Sequence, residues 1–323
     1  MADNWCLIES DPAVFTEMIR GFGVKGLEVD ELCTLEESEF ATLRPIFGLV
    51  FLFKWRQGEQ PSGTPATDAP IFFAEQMIQN ACATQALVNL ILNIENKEQH
   101  HIVSGQTLDE FKTFCADFDP TSRGLCLSNS DPIRTVHNSF ARQQFYEIDM
   151  KGGKPEENYH FISYVPIGGK VYELDGLQKT PMEVGTVEEG GDWLDVVRPV
   201  IQARIQRYSD DEIHFNLMAV VSDKREKYLR RLEEITTSGM ETEDIAAEVC
   251  ELQQLIDEEE QKAKRHQLDN IRRRHNFVPL IVEILRVLAR EGKLVSLVEN
   301  TIEKNSAKRA RAREIAEKLK SKS

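Results

Sequence analysis

One stretch constrains this chain more than any other: Ile71 to Ile94, IFFAEQMIQNACATQALVNLILNI. Leu87, Leu90, Ile91 and Ile94 recur at helical spacing and Asn80 is a good N-cap, which predicts an apolar helix beginning near Ala81 and running into the core. Cys82 then falls in the first turn. There the partial positive charge of the helix end and its unpaired N–H groups favour thiolate, the form a cysteine nucleophile needs near neutral pH. Gln76 can donate a side-chain N–H toward the same point, making with the Cys82 backbone N–H a two-donor oxyanion hole. Taken alone, Cys82 reads more simply as a small buried residue closing a core helix.

A second pair of residues shifts that balance. Tyr159 to Ile167, YHFISYVPI, has strand composition, Gly168-Gly169 forms a two-residue hairpin turn, and KVYELDGL follows at Lys170 to Leu177. Facing Ile167 with Lys170 sets His160 opposite Leu177, with Asp175 two positions away on the same face. Asp175 can then accept from one imidazole nitrogen and leave the other for the Cys82 proton. Singly, His160 reads as a core-edge histidine and Asp175 as a turn residue before Gly176. Both pairs in one chain, in this order, suit a cysteine hydrolase.

Of 323 residues, 41% are hydrophobic, enough for one sizeable core and a smaller unit. No run approaches a transmembrane span, and the acidic N-terminus MADNWCLIESD predicts no signal peptide and a cytosolic or nuclear protein. Six cysteines without a tight pair fit a reducing compartment. The net charge of −15 is concentrated before residue 223; the remainder is near neutral but dense in charge. An acidic front domain repels nucleic acid and suits a cationic protein partner. No metal or organic cofactor is expected: His100 and His101 lack partners at ligand spacing.

In order, Trp5 to Glu9 is a strand candidate; Asp11 and Pro12 start a helix ending at Gly21 or Gly23; Leu32 to Leu43 is weakly helical; Pro45 to Trp55 is an apolar strand; and Gln57 to Pro70 is a loop. Thr107 to Cys115 and Asp131 to Phe145 read as helices, with Asp119 to Gly124 a turn between them. Asp149 to Asn158 has no periodicity and predicts an exposed loop beside His160, placed to gate a site.

Phe72 to Leu92, NYHFISYVPIGGKVYELDGL, SFARQQF at Ser139 to Phe145, the N-terminal WCLIESDP and FGLVFLFKW together resemble the ubiquitin carboxyl-terminal hydrolase family of cysteine proteases over about residues 1 to 222. The resemblance implies an α/β (α+β) papain-like fold, a central antiparallel sheet flanked by helices. It also implies Cys82 as nucleophile, His160 as general base and acid, Asp175 as the group orienting it, and Gln76 as the oxyanion stabiliser. Arg142 to Asn158, including Met150, Gly152 and Gly153, would supply an active-site crossover loop. The implied reaction is hydrolysis after the C-terminal glycine of ubiquitin.

Residues 223–275 read as a long charged helical linker, with Ile245, Val249, Leu252, Leu255, Leu268 and Ile271 on one stripe, either a coiled coil or a helix docked on the front domain. Residues 276–323 form the end of an all-α extension: NFVPLIVEILRVLAREGKLVSLV makes two amphipathic helices about Glu291-Gly292, by default a piece of intramolecular core, with a partner-binding module as the strong competitor and Phe277, Leu280, Ile281, Ile284, Leu285 and Leu288 as its partner-binding candidates. Lys308 to Arg313, KRARAR, reads as a solvated tail. RRRHNFVPLIVEIL resembles the long-tailed, proteasome-associated branch of the family. That implies a tail binding the adhesion-regulating ubiquitin receptor of the proteasome 19S particle, and a related subunit of a nuclear chromatin-remodelling complex. The alternative is a ubiquitin-binding adaptor whose site is closed by the loop before His160.

Overall fold

A computed structural model describes residues 5–56, 61–141, 159–207, 215–238 and 243–306. Two compact units divide them: the described residues up to Arg274, and residues 275–306.

The first unit begins with an extended segment and helix α1 (Pro12–Gly21), whose N-cap Asp11 accepts from the Ala13 N–H at 2.9 Å. Strand β1 (Leu27–Leu32), helix α2 (Glu37–Leu43), strand β2 (Ile46–Lys54) and a short strand β3 (Thr64–Pro65) follow. Helix α3 (Cys82–Leu92) is succeeded by α4 (Gln106–Phe114), α5 (Pro120–Ser128) and α6 (Asp131–Asn138). The remaining elements are β4 (Tyr159–Ile167), β5 (Lys170–Leu174), β6 (Met182–Thr186), α7 (Trp193–Gln206), β7 (Asn216–Ser222), α8 (Lys224–Ser238) and α9 (Glu243–Arg274).

The strands form one antiparallel sheet in the order β1-β7-β2-β4-β5-β6-β3. Its two faces carry separate cores. Val50, Phe161, Val165, Met218 and Val220 pack with α1 and α3, while Leu49, Phe51, Ile162, Tyr164 and Ala219 pack with α7 on the other side. Central strands covered on both faces read as unbroken apolar runs, which explains the composition of β2 and β4. The β4–β5 hairpin pairs Ile167 with Lys170 and Ser163 with Leu174, the register its Gly-Gly turn predicts.

Several expectations need correction. Trp5 to Glu9 is not a strand: the Cys6 N–H donates to Asn138 Oδ1 at 3.0 Å and Trp5 packs edge-on to His137 at 4.5 Å, so a helix end rather than a sheet edge anchors it. Strand β1 begins before the weak helical pattern of Leu32 to Leu43, and only α2 within that pattern is helical. The turn at Asp119 to Gly124 opens helix α5, with Asp119 accepting from the Ser122 N–H at 3.0 Å. Helix α6 ends at Asn138, short of the expected Phe145, and residues 142–145 lie outside the described residues.

Helix α9 is both paired and docked: it packs on α8 and on α1. The apolar stripe drawn along it is only partly buried. Leu252 lies inside, but Leu268 and Ile271 are 45% and 53% exposed, and Asn270 faces inward, donating to the Ala13 carbonyl at 3.1 Å. Charged anchors turn the helix to that face: Lys262 lies 3.0 Å from Asp30 and Arg274 lies 2.7 Å from Glu17.

The second unit contains α10 (Val278–Arg290), a turn at Glu291-Gly292, and a further helical stretch over 294–306. The KRARAR run lies outside the described residues. No described helix is long and apolar enough to cross a membrane.

Candidate active site

Helix α3 begins at Cys82 itself, with Ala81 at the cap position. Asn80 is not the N-cap: it takes a left-handed conformation, φ 67°, and its amide donates to the Trp5 carbonyl at 3.3 Å. Asparagine tolerates that conformation better than most residues, so it serves the sharp turn into the helix instead of capping it. The consequence is the same for the thiol, which stands at the first helical residue and is 7% exposed.

From β4, His160 Nε2 donates to Asp175 Oδ1 at 2.6 Å, both side chains being buried. The Leu177 N–H also donates to Asp175 Oδ1, at 2.9 Å. Burial lowers the affinity of His160 for its proton, but the hydrogen bonds and charges of Asp175 and Cys82 outweigh this and raise its pKa to about 9. Burial likewise pushes Asp175 up, and the His160 hydrogen bond, its charge and the Leu177 N–H together pull it below the usual carboxylate range. With Nε2 committed to Asp175, Nδ1 is the imidazole nitrogen left for the thiol. The His160 ring stands edge-on to Phe53, with centroids 5.9 Å apart.

Gln76 reaches the same place by its backbone. Its N–H donates to the Gly176 carbonyl at 2.8 Å, so the residue after Asp175 holds it. A Cβ at Gly176 would come 2.9 Å from Gln76 Cβ, which makes glycine a condition of that approach. The Gln76 side chain donates to the Ile78 carbonyl at 3.0 Å, and its Oε1 is buried without a hydrogen bond. An amide NH₂ has two hydrogens, so one fixes its orientation and one remains to donate.

Residues not singled out from the sequence complete the frame. Along α3, Gln85, Asn89 and Asn93 recur every four residues and line one face. Asn89 accepts from the Ala74 N–H at 2.9 Å and donates to the Ala74 carbonyl at 3.1 Å; Gln85 also donates to that carbonyl; Asn93 accepts from the Phe72 N–H at 2.8 Å and donates to the Phe72 carbonyl at 2.6 Å. Amide side chains thus do for residues 72–74 what a neighbouring strand would do. Spacing was the signal that could have found them. On the other side, Glu173 of β5 is fully buried and pairs with Arg204 of α7 at 2.9 Å, fixing the strand that leads into Asp175.

Arg142, Met150, Gly152, Gly153 and Asn158, expected in a gating loop, lie outside the described residues. In the second unit, Phe277, Leu280, Ile281, Ile284 and Leu285 are between 43% and 54% exposed, and Leu288 is half-buried.

Residues 5–206 match the family described as ubiquitin carboxyl-terminal hydrolase, family 1, and residues 249–294 match a second description, ubiquitin carboxyl-terminal hydrolases. Ubiquitin carboxyl-terminal hydrolase ubh-4 of Caenorhabditis elegans is 51% identical over 299 residues, 93% of this chain and 92% of the relative. Ubiquitin carboxyl-terminal hydrolase isozyme L5 of Dictyostelium discoideum is 40% identical over 341 residues, 95% of this chain and 97% of the relative. Among solved structures, Trichinella spiralis UCH37 bound to ubiquitin vinyl methyl ester is 44% identical with a TM-score of 0.68, covering 82% of this chain and all of that one. The chain therefore has the papain-like architecture and belongs to ubiquitin carboxyl-terminal hydrolase family 1, cysteine peptidases that act as deubiquitinases.

Proposed function

We propose that Cys82 is the nucleophile of a reaction that cleaves the bond after the C-terminal glycine of ubiquitin, with His160, Asp175 and Gln76 completing the site. The observation that carries this is the buried His160–Asp175 pair at 2.6 Å with Cys82 as the other polar neighbour of the imidazole. An imidazolium at His160 is the electrostatic partner a thiolate needs. The thiolate attacks the glycine carbonyl, and the oxyanion takes hydrogen bonds from the second Gln76 N–H and the Cys82 backbone N–H. His160 gives its proton to the leaving amine as the C–N bond breaks. It then takes a proton from the water that hydrolyses the thioester, returning free ubiquitin and the thiolate. The match to a protein solved with ubiquitin vinyl methyl ester supports ubiquitin as the ligand here.

The second unit is the docking element in this reading. Its exposed apolar face on α10 supports recruitment by a helical groove on the ubiquitin receptor of the proteasome 19S particle or on a related chromatin-remodelling subunit. Six free cysteines support a reducing compartment, cytoplasm and nucleus.

The test is hydrolysis of a fluorogenic ubiquitin C-terminal amide by the full chain, by Cys82→Ala and by Ile281→Asp with Leu285→Asp. Turnover by the full chain, lost by roughly 10⁴-fold or more in Cys82→Ala, is expected. The α10 variant should retain basal turnover and lose capture by proteasomes. Retained turnover in Cys82→Ala sinks the nucleophile assignment; no turnover by the full chain, with or without proteasomes, favours the adaptor.

A further inference from the structure

A cleft of about 690 Å³ opens between α1, β1 and the α8–α9 pair, lined by residues of these elements and by Asp223, and by none of the proposed catalytic groups. At its floor is Glu28 of β1, which is 6% exposed and whose Oε1 is buried without a hydrogen bond. The cation that approaches this oxygen is Lys262 Nζ at 3.8 Å, but Lys262 is turned to Asp30, at 3.0 Å, and to Glu259, at 3.6 Å. Other cations are also engaged: Arg20 lies 3.0 Å from Asp223, and Arg225 lies 2.8 Å from Glu260. Burial pushes the Glu28 carboxyl up to about 7; Lys262 opposes this, and Asp30, Asp223 and Glu259 reinforce it.

The cleft therefore offers a buried acceptor that lacks a donor, in surroundings where six carboxylates face four lysine and arginine side chains. Leaving such an acceptor unmade is costly, and a ligand that supplies a charged donor recovers that cost. A divalent metal is a poor fit: no cluster of three or more ligating side chains occurs among the described residues. Ala13, Val29 and Ala263 form apolar wall beside the acidic floor. A compact ammonium on a hydrocarbon stem matches both, because its three donors converge on one point while its methylenes cover apolar surface.

We propose that this cleft binds a primary ammonium group on an aliphatic stem, with Glu28 as its buried acceptor. The same chemistry is carried by a free polyamine and by a lysine side chain of a protein segment. Because α9 walls the cleft and β1 floors it, the occupant clamps α9 to the sheet edge. The inference stands apart from the assignment of the catalytic residues.

Titration calorimetry on the full chain tests it, using spermidine and, separately, the peptide acetyl-Gly-Lys-Gly-amide. The variants are Glu28→Gln, which keeps the shape and removes the charge, and Glu188→Gln, an exposed carboxylate elsewhere. One saturable site is expected, weakened at least tenfold by Glu28→Gln and unchanged by Glu188→Gln. Lys262→Met, which removes the competing cation, should tighten it. Binding of spermidine alone identifies a free polyamine, binding of the peptide alone identifies a partner's lysine, and binding of both identifies the shared chemistry. Absence of a saturable site overturns the proposal, as does equal weakening by the two glutamate variants, the signature of counter-ion condensation on an acidic chain. Where Glu28→Gln fails to fold in a circular dichroism melt, an affinity unchanged or weakened by Lys262→Met overturns it.

Discussion

Helices α3 and α10 are both rich in apolar residues, and their fates are opposite. All eleven residues of α3 are buried, while none of α10 is. The difference lies in the polar side chains. Those of α3, notably Gln85 and Asn89, are spent inside the protein on backbone that would otherwise be orphaned, so the helix can be enclosed on every side. Those of α10, among them Glu283, Arg286 and Arg290, are suited to water, and its apolar stripe stays exposed. Apolar content alone does not say where a helix goes; the partners of its polar residues do.

The comparison can be broken by four measurements. The largest effect is expected from Leu90→Ala in α3, a fully buried side chain whose loss should cost about 3–5 kcal/mol in denaturant unfolding; Leu285→Ala in α10 should cost about 0.5 kcal/mol or less. Equal costs would mean α10 is as enclosed as α3. Next is Asp175→Asn, expected to lower kcat/KM about 10²–10³-fold while leaving the fold intact. Asp175 holds the His160 pKa up near 9, so wild-type activity should fall as the pH rises through about 9, when the imidazolium is lost. The variant's alkaline limb should lie at lower pH. A pH profile with an unmoved limb would leave Asp175 a structural residue only.

Asn89→Leu comes third. It strips the Ala74 N–H of its acceptor, for about 1–3 kcal/mol, and should reduce kcat through the displaced Gln76. Stability lost with kcat unchanged would separate the amide ladder from the chemistry. The smallest effect is Ile281→Asp: melting and basal hydrolysis should move little, since the side chain is already 51% exposed.

How much was legible follows from what each residue answers to locally. The β4–β5 register was, because two glycines fix the turn and the strand alternation does the rest. The apolar helix and the amphipathic α10 were, because period alone defines them. Strand β1 was missed because Glu28 and Asp30 are poor strand residues, and the lysines that hold Asp30 there, Lys262 and Lys224, come from distant helices. Helix α5 was read as a turn because Pro120, Ser122 and Gly124 suit both; a Cβ at Gly124 would collide with the Glu75 carbonyl, so packing dictated that glycine rather than a turn. The inward face of α9 was misplaced because Asn270, not Leu268, meets α1. At the candidate site, the proximity of His160 and Asp175 follows from local register, whereas the hold of Gly176 on Gln76 depends on residues a hundred positions apart and leaves no local pattern.

The amide ladder on α3 has a consequence for how this chain can change length. Two paired strands can slip and exchange one set of hydrogen bonds for an equivalent set. Asn89 grips both backbone groups of Ala74, and Asn93 grips both of Phe72, so the extended segment has a single frame. An insertion of even one residue between Ala74 and Cys82 must bulge outward or carry Gln76 away from the thiol. The same insertion among residues 67–69, between β3 and the ladder, is absorbed by loop. Length variation in this segment is thus confined to one side of Phe72.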